Sequence, residues 1–483
     1  MNERGHWLVI DQGGQSSRVM VFDAAGQVLA SAAHPIETQR NDDRVEHDGA
    51  RMVAGIADAL AEVLENPAID PASIAGAGIA TQRSSIVCWD GATGAALSPV
   101  LSWQDRRAAG LLNELALDPT RLGRVTGLVA SPHYGASKMR WCLKNLPDVA
   151  TAAARGALQI GPLSSYLLQR LLGERPFVCD PANASRTLLW DVTQMDWSDW
   201  LLHEFGIARE LLPRCVSSRH AYGHLGGGAT RIPLLACTGD QAAALFATGQ
   251  PLPGQVFINM GTGAFLQTPL SGDRPVEGLL HSVVWQDADR LIRVSEGTVN
   301  GGASAVKTEA GKLGLTPAQI RQNIEAWLAT AADAPAYLNG VSGLGSPFWV
   351  PDFQSVFVGE GDTRRRMVAV YESVLFLLRV NLGCLTRASE DPAEIIVTGG
   401  LSRIDGLCQR LANLTGLSVH RPAVSEATAR GMAWLLGGHS GGWATPNRDS
   451  FHPVRDAGIQ ARFRRWSREM AARLDPAASR FLN

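Results

Sequence analysis

The chain has 483 residues, a length that corresponds to two or three domains of ordinary size. Apolar residues make up 45% of it and charged residues 19%, which is normal globular composition and excludes wholesale disorder. The 44 Lys and Arg residues nearly balance the 46 Asp and Glu residues, so the net charge of −2 gives no support for binding to nucleic acid or to an anionic membrane.

Strands and a glycine turn open the chain. Apolar runs at 7–10, 18–22 and 28–32 predict three strands in a meander, and the first run ends at Asp11-Gln12-Gly13-Gly14. Apolar residues recur at helical spacing from 52 to 64 and predict a helix. Further strands are predicted at 74–81 and 86–89, and further helices at 106–117, 138–145 and 163–172.

The pattern starts again after Pro233. It predicts a strand at 234–237, a turn at 238–239 and a helix at 240–247. Two strands at 256–259 and 264–268 are joined by Gly261-Thr262-Gly263. The remaining predictions are a strand at 291–294, a helix from about 303 to 312, a long amphipathic helix at 364–387, a strand at 394–397, a helix at 407–414 and a largely helical tail beyond 446.

The two halves of the chain repeat one another weakly. Residues 8–14 resemble residues 257–263, since each is an apolar strand that runs into a glycine turn and returns as a second strand. Glycine permits positive φ and lets backbone N–H groups approach an anion closely. One such hairpin in each half, with a third glycine turn at Gly399-Gly400, is typical of a cleft whose two walls hold a polyphosphate. Taken singly, each could be an ordinary hairpin turn.

Several nucleotide-binding motifs are excluded. Only four residues are lysines, and none of them lies in the Gly-Lys-Ser/Thr context of a P-loop. The first, Lys138, comes too late for the strand lysine of a protein kinase. No Gly-x-Gly-x-x-Gly sequence occurs in a predicted strand-to-helix turn.

The seven cysteines are interpreted as reduced core thiols. Their number is odd, and no two lie at the spacing of a metal knuckle. Residues 1–6 lack the apolar stretch of a signal peptide, and the longest aliphatic runs are shorter than the ~20 residues of a membrane span. The sequence therefore predicts a soluble, cytoplasmic protein.

Segments throughout the chain carry a family resemblance. In chain order they are Asp11-Gln12-Gly13 with Ser16-Ser17-Arg18, Val45-Glu46-His47-Asp48, Thr81-Gln82-Arg83, Ser102-Trp103-Gln104-Asp105-Arg106-Arg107, Asn183-Ala184-Ser185-Arg186-Thr187, Gly239-Asp240-Gln241, Gly261-Thr262-Gly263, Gly343-Leu344-Gly345-Ser346-Pro347-Phe348-Trp349 and Gly399-Gly400. In this order and spacing they resemble the FGGY family of carbohydrate kinases, and among its branches the glycerol kinases.

The resemblance implies an α/β protein with the two-domain actin/Hsp70/sugar-kinase (ribonuclease H-like) fold and an interdomain cleft. We place the domain boundary near residue 247. Residues 1–247 would form the N-terminal domain, with the acceptor site and the first phosphate loop. Residues 248–483 would form the C-terminal domain, with the nucleotide site and a helical tail.

The family chemistry is in-line transfer of the ATP γ-phosphoryl group to a substrate hydroxyl, with Mg²⁺. Asp240 matches the family's catalytic base, although an aspartate at this position could also cap a helix. Asp11 matches the aspartate that faces the metal and the phosphates, although it could form an Asx turn at the end of a strand. The residues that match the family's nucleotide site are Gly13, Gly14, Gln15, Arg18, Thr262, Gly263, Gly302, Gly399 and Gly400.

The acceptor site departs from the glycerol kinase pattern. The positions that match it are Arg83, Ser84, Trp103, His133, Asp240, Gln241 and Phe265. The family glutamate is replaced by Ser84, the family tyrosine by His133, and two loop threonines by Gly14 and Gln15. Because polar pockets discriminate strongly between hydroxyl patterns, these changes argue against glycerol itself and leave ATP-dependent kinase chemistry in place.

The sequence predicts a small polyol or sugar as substrate, and neither nucleic acid nor a membrane as partner. A ketopentose kinase of the xylulokinase or ribulokinase type is the alternative within the class. A non-catalytic or chaperone-like ATP-binding protein of the same fold is the alternative outside it. Homo-oligomerisation is left open, as is effector binding by the loop Gly226–Arg231, for which a plain surface loop is the favoured interpretation.

Overall fold

The computed structural model describes residues 5–226, 231–270, 272, 275–330, 333–437 and 443–482. The chain divides into two compact units. The first comprises Met1–Gln250, Ser282–Arg293 and Val424–Thr445, and the second comprises Pro251–His281, Val294–Ala423 and Pro446–Asn483. Two segments of the second half of the chain thus belong to the first unit, and the boundary near residue 247 remains a prediction. Most of the loop Gly226–Arg231 lies outside the described residues.

The chain alternates between strands and helices throughout. The strands are β1 His6–Gln12, β2 Ser16–Phe22, β3 Val28–Pro35, β4 Gln39–Asn41, β5 Arg44–His47, β6 Ile74–Thr81, β7 Ile86–Asp90, β8 Val100–Leu101, β9 Leu158–Pro162, β10 Val178–Cys179, β11 Trp190–Asp191, β12 Asp196–Trp197, β13 Arg214–Cys215, β14 Arg219–Leu225, β15 Ile232–Gly239, β16 Gln255–Met260, β17 Ala264–Pro269, β18 Leu280–Gln286, β19 Leu291–Val299, β20 Ala336–Leu338, β21 Val356–Val358, β22 Glu394–Thr398, β23 Ser418–Pro422 and β24 Arg448–Phe451. The helices are α1 Gly49–Leu64, α2 Ala109–Asn113, α3 Pro119–Thr126, α4 Gly135–Asn145, α5 Pro147–Ala154, α6 Leu163–Leu171, α7 Pro181–Ala184, α8 Asp199–Phe205, α9 Asp240–Ala244, α10 Ala303–Lys312, α11 Pro317–Thr330, α12 Thr363–Arg387, α13 Asp405–Thr415, α14 Ala427–Gly437, α15 Ala457–Ala471 and α16 Pro476–Ser479.

A six-stranded sheet in the order β14-β15-β6-β1-β2-β3 forms the centre of the first unit. Strand β1 is antiparallel to β2 and parallel to β6, and β6 is parallel to β15. In this register Gln12 lies beside Thr81, and Thr81 lies beside Gly239. The carboxyl ends of β1, β6 and β15 therefore meet at one edge of the sheet, where ligands of such sheets bind.

The sheet of the second unit repeats this arrangement. Its order is β18-β19-β17-β16-β22-β23-β24. Strand β16 is antiparallel to β17 and parallel to β22, and β22 is parallel to β23. The repeat between residues 8–14 and 257–263 is thus confirmed in the topology, because β1–β2 and β16–β17 are corresponding hairpins.

Each unit has its own buried helix. Helix α14 covers the sheet of the first unit, where Met432 lies against Gly78 of β6 and Gly437 against Trp7 of β1. Helix α12 lies in the core of the second unit, with most of its residues buried. Helix α12 is long and apolar enough to cross a membrane by length and composition alone, although its aliphatic runs are short. Its burial is that of a core helix.

Several predicted elements have different bounds. The helix predicted at 106–117 is only Ala109–Asn113, because Arg106 N donates to Asp43 O and Arg107 N to Asp105 Oδ1, which fixes both outside the helix. The turn predicted at 238–239 is the end of β15, and α9 ends at Ala244 instead of 247. The tail is helical, as predicted, but strand β24 precedes its helices.

Candidate active site

Two carboxylates lie at the edge of the first sheet where the carboxyl ends of β1, β6 and β15 meet. Asp11 is the penultimate residue of β1, and Asp240 directly follows β15. They are close enough to interact, because the charge of Asp240 is one of the causes that raise the pKa of Asp11. The parallel pairing of β1, β6 and β15 thus brings together residues that are far apart in the sequence.

Asp11 is a carboxyl group whose charge is disfavoured. Its side chain is 15% exposed. Burial, followed by the charge of Asp240, raises its pKa to about 7, while Arg18 lowers it and Glu426 raises it further. Arg18 lies opposite Asp11 on β2, with Nη1 at 3.9 Å from Asp11 Oδ2, and it is ion-paired with Glu426. The arginine is therefore shared between two carboxylates.

The turn that follows β1 does not need positive φ. Neither Gly13 nor Gly14 has it, so this turn does not use the conformational freedom that glycine permits. Close packing does not require Gly14 either, because a Cβ there would lie 3.6 Å from Gln82 Oε1, an ordinary contact distance. Gln82 is 2% exposed, and neither its Oε1 nor its Nε2 has a hydrogen-bond partner in the protein. A buried amide without a protein partner beside this turn is available to a water molecule or to a polar ligand.

Asp240 is the first residue of the short helix α9. The N-cap is Gly239, so Asp240 is not the capping residue, although its Oδ1 accepts a hydrogen bond of 2.7 Å from Gln241 N. Burial raises the pKa of Asp240, and the nearby Arg83 opposes this rise. A partly desolvated carboxylate with a raised pKa is well suited to take up a proton.

Two buried arginines accompany Asp240. Arg83 Nη2 donates to Gln241 Oε1 at 2.6 Å, and its side chain passes so close to Gly239 that a Cβ there would lie 2.5 Å from Arg83 Cδ. Burial, followed by the charge of Arg83, lowers the pKa of Arg186 to about 9, and a hydrogen bond with Tyr134 opposes this. This cluster offers several N–H donors near the carboxylate.

The other acceptor residues expected in the first half lie on neighbouring loops. Ser84 has φ of +65°, an unusual backbone conformation for serine. His133 Nδ1 donates to Trp103 O at 3.0 Å, and Trp103 N donates to Ser85 Oγ at 2.9 Å. The indole of Trp103 is 38% exposed, and burial lowers the pKa of His133. An exposed aromatic face beside polar side chains is suited to a carbohydrate.

The expected nucleotide residues of the second half surround one turn of the second unit. The turn Gly261-Thr262-Gly263 joins β16 to β17 and packs on the start of α10. Thr262 O accepts hydrogen bonds of 3.0 Å from both Gly302 N and Ser304 N. A Cβ on Gly302 would lie 2.7 Å from the carbonyl carbon of Gly263. The first N–H groups of α10 thus bind the turn itself, and Gly302 is required by close packing.

The third glycine turn adjoins the same place. Gly399 has φ of +88°, and a Cβ on it would lie 2.7 Å from Met260 O. Gly400 has open space around it, so close packing does not explain this glycine. Phe265 lies on β17 and belongs to the second unit, whereas Arg83, Ser84, Trp103, His133 and Gln241 belong to the first unit.

Some residues of the first site are not predicted from the sequence. Arg186 and Gln82 stand within the motif segments, but nothing there distinguishes them from structural residues. Glu426 is 408 positions from Arg18 in the chain, so no local pattern could associate the two. No group of three or more His, Cys, Asp or Glu side chains able to hold a metal occurs in the described part of the chain.

Comparison with known proteins gives consistent matches. The model of the N-terminal domain of the FGGY family of carbohydrate kinases matches residues 6–247, and that of its C-terminal domain matches residues 256–438. A glycerol kinase from Geobacter sp. (strain M21) is 34% identical and covers 89% of each chain. One from Bordetella parapertussis is 34% identical and covers 95% of each chain.

Solved structures share the fold. A glycerol kinase from Plasmodium falciparum with ADP superposes with a TM-score of 0.87 at 22% identity, over 98% of each chain. A gluconate kinase from Lactobacillus acidophilus gives 0.85 at 18% identity, over 99% of each chain. The predicted two-domain, actin-like sugar-kinase fold is confirmed. With both family models matched in sequence order over most of its length, the chain belongs to the FGGY family of carbohydrate kinases and is an ATP-dependent kinase.

Proposed function

We propose that the protein transfers the γ-phosphoryl group of ATP to a hydroxyl of a small polyol or sugar, with Asp240 as general base. The observation that carries the proposal is the position of Asp240, whose pKa is raised by burial and which lies beside Arg83 and Gln241 at the ligand-binding edge of the sheet. Asp11 and the first glycine turn share that edge. Family membership leaves the chaperone-like alternative without support.

The residues present fit a divalent cation beside the phosphates. The buried carboxyl of Asp11 carries two unfavourable neighbouring charges, Asp240 and Glu426, which a cation would offset. Mg²⁺ prefers oxygen ligands and commonly takes one or two carboxylates together with substrate phosphates. Asp11 would hold Mg²⁺, which would neutralise charge that develops on the phosphates. The unpartnered amide of Gln82 is a donor for a phosphate oxygen near Gly14.

Asp240 would accept the proton of the attacking hydroxyl. Its raised pKa makes the carboxylate a stronger proton acceptor than an exposed aspartate. Arg83 favours the ionised form, since its charge lowers the same pKa. Arg83 and Gln241 are further donors for acceptor hydroxyls.

The acceptor we propose is larger than glycerol. At positions that match the glycerol kinase pattern, Ser84 replaces a carboxylate and His133 replaces a phenol. The pocket therefore has more room, and it lacks one hydrogen-bond acceptor. Loss of a hydrogen bond to a charged group costs roughly 1.5–3 kcal/mol, or about 10–150-fold in affinity. A polyol or ketose of four or five carbons could reach Ser84 or His133, whereas glycerol would lose the carboxylate contact.

A panel of acceptors tests both parts of the proposal. ADP release is measured with ATP, Mg²⁺ and a series of polyols, ketoses and sugar acids, with glycerol included. We expect a four- or five-carbon polyol or ketose to have the highest kcat/KM, and Ser84→Glu to move the preference toward glycerol. No acceptor-dependent ADP release from any member would overturn the kinase assignment, and glycerol as the best substrate would overturn the pocket assignment.

A further inference from the structure

Lys138 lies at the centre of the acceptor segments. Its side chain, on α4, is fully buried. Its Nζ donates three hydrogen bonds to backbone carbonyl oxygens, at 2.8 Å to Ser84, 2.9 Å to Ser102 and 2.8 Å to His133. An ammonium group has three hydrogens and accepts none. All three are therefore used, and each binds a different segment of the chain.

The three segments are those that carry the expected acceptor residues. Ser84 lies between β6 and β7, Ser102 directly precedes Trp103, and His133 lies just before α4. We propose that Lys138 is a positioning residue, which fixes the three acceptor segments relative to one another and thereby sets the affinity for the acceptor. This inference rests on the proposed function, because it takes Ser84, Trp103 and His133 to line the acceptor site.

The ammonium group binds a backbone segment that has an unusual conformation. Ser84 is held at φ of +65°, a backbone conformation that persists only where surrounding structure fixes it. Its carbonyl is one of the three that Lys138 binds. Without the ammonium group the carbonyls of Ser84 and His133 would lose this hydrogen bond in a partly buried place, whereas the Ser102 carbonyl would keep the one from Asp105 N. Polar groups that lose a partner there draw in water or move apart.

The three contacts favour the charged form of Lys138, because only a protonated amine has three hydrogens to donate. Burial lowers the pKa of Lys138 to about 7, and Arg107 lowers it further, while Asp105 and the thiol of Cys142 oppose the change. Asp105 is itself bound by the guanidinium of Arg107, with Nη2 to Oδ2 at 2.6 Å. The backbone carbonyls are thus the direct partners of the ammonium group.

The test compares two substitutions with a control on the same helix. Lys138→Met removes the ammonium group and keeps much of the side-chain length, and Lys138→Arg keeps a charged donor. Lys144→Met is the matched control, because Lys144 lies in the last turn of α4 and is exposed. KM for the best acceptor, KM for ATP and kcat are measured for each, with nucleotide binding by calorimetry.

We expect Lys138→Met to raise the acceptor KM about 10–100-fold and to change the ATP KM and the nucleotide Kd less than about twofold. Lys138→Arg should restore part of the loss, and Lys144→Met should match the wild type.

A folded Lys138→Met enzyme with a normal acceptor KM would overturn the inference. Failure of both Lys138 variants to fold would also overturn it, since the residue would then serve the core of the unit. Wild-type enzyme that phosphorylates no acceptor would overturn the proposed function, and this inference with it.

Discussion

At the scale of single residues, Asp11 is in an environment that opposes its own charge. Burial and the charges of Asp240 and Glu426 raise its pKa to about 7, and Arg18 is the cation that opposes them. Arg18 is itself ion-paired with Glu426. Such an arrangement lowers the free energy of unfolding, but it suits a site that binds a cation, because a cation would offset the negative charges. Groups at functional sites often have strongly shifted pKa values.

Asp11→Asn should therefore stabilise the free protein and abolish activity. A carboxyl whose pKa is raised on folding from 3.8 to about 7 binds more protons in the folded state, so stability falls as pH rises from about 4 to 7 and then stays low. Asparagine removes that penalty. We expect the melting temperature of Asp11→Asn to exceed that of the wild type by about 2–6 °C at pH 8 and by less at pH 5.

Scanning calorimetry of both proteins without nucleotide, at the two pH values, measures this difference. Added Mg²⁺ and ATP should raise the melting temperature of the wild type only. A variant that is less stable than the wild type at pH 8 would contradict the assignment of Asp11 as a disfavoured charge.

Asp240→Asn removes the proton acceptor with little change in size. We expect turnover to fall by about 10²–10⁴-fold, the usual contribution of general acid–base catalysis. The affinity for nucleotide, measured by calorimetry, should change little, because Asp240 is proposed to act on the acceptor hydroxyl. Near-normal turnover would leave Asp240 only the hydrogen bond that it accepts from Gln241 N at the start of α9.

At the scale of elements, glycines hold the turn Gly261-Thr262-Gly263 of the second unit in place. A Cβ on Gly302 would lie 2.7 Å from the carbonyl carbon of Gly263 and 2.8 Å from Gly261 O, so any larger residue must displace the turn. Gly311 lies on α10, the helix that Gly302 directly precedes, with nothing within 4 Å of an added Cβ. The two positions form a natural pair for substitution.

Gly302→Ala should raise the KM for ATP about tenfold and leave the acceptor KM near that of the wild type, since the displaced turn is the one expected to contact phosphate. Gly311→Ala should leave both constants unchanged and stabilise α10 slightly, because alanine is favoured over glycine in helices. Steady-state kinetics with each substrate varied in turn give both constants. Equal behaviour of the two variants would show that the turn does not bind nucleotide.

Elements formed by local pattern could be predicted from the sequence, and those formed by distant contacts could not. The two glycine hairpins were predictable, because alternating apolar runs and glycines lie next to each other in the chain. Strand β19 extends to Val299 instead of ending at 294, because residues 294–299 pair with β17, which is distant in the sequence. Gly297 leaves room there for Asn381 of α12. The groups that shift the pKa of Asp11 show the same difference in predictability. Arg18 follows Asp11 within one hairpin and could be predicted, whereas Glu426 comes from a distant part of the chain and could not.

At the scale of the whole molecule, the first unit depends on a segment from the second half of the chain. Helix α14 belongs to residues 424–445, which group with the first unit. Gly431 allows α14 to approach Ala243 of α9, and a Cβ on Gly78 would lie 2.5 Å from Met432 Sδ. Arg430 donates to the backbone oxygen of Ala247 at 2.9 Å and also to those of Gly26 and Ala444.

A fragment of residues 1–250 should consequently fail to fold as a stable unit, because the face of β1 and β6 that α14 covers would be exposed. We expect it to be insoluble or to lack a cooperative thermal transition. Fusion of residues 424–445 to its C-terminus through a flexible linker should restore a transition, and the same fusion with Arg430→Ala should restore less. A cooperative, soluble fragment without the helix would contradict this dependence.

The late position of α14 also bears on how the protein is made. A ribosome adds about 5–20 residues per second, so roughly 200 residues and 10–40 seconds separate completion of residue 250 from the appearance of α14. During that interval the nascent chain carries a sheet with one apolar face uncovered. We expect the first unit to reach its final packing only near the end of translation, which makes the nascent chain a substrate for ribosome-associated chaperones.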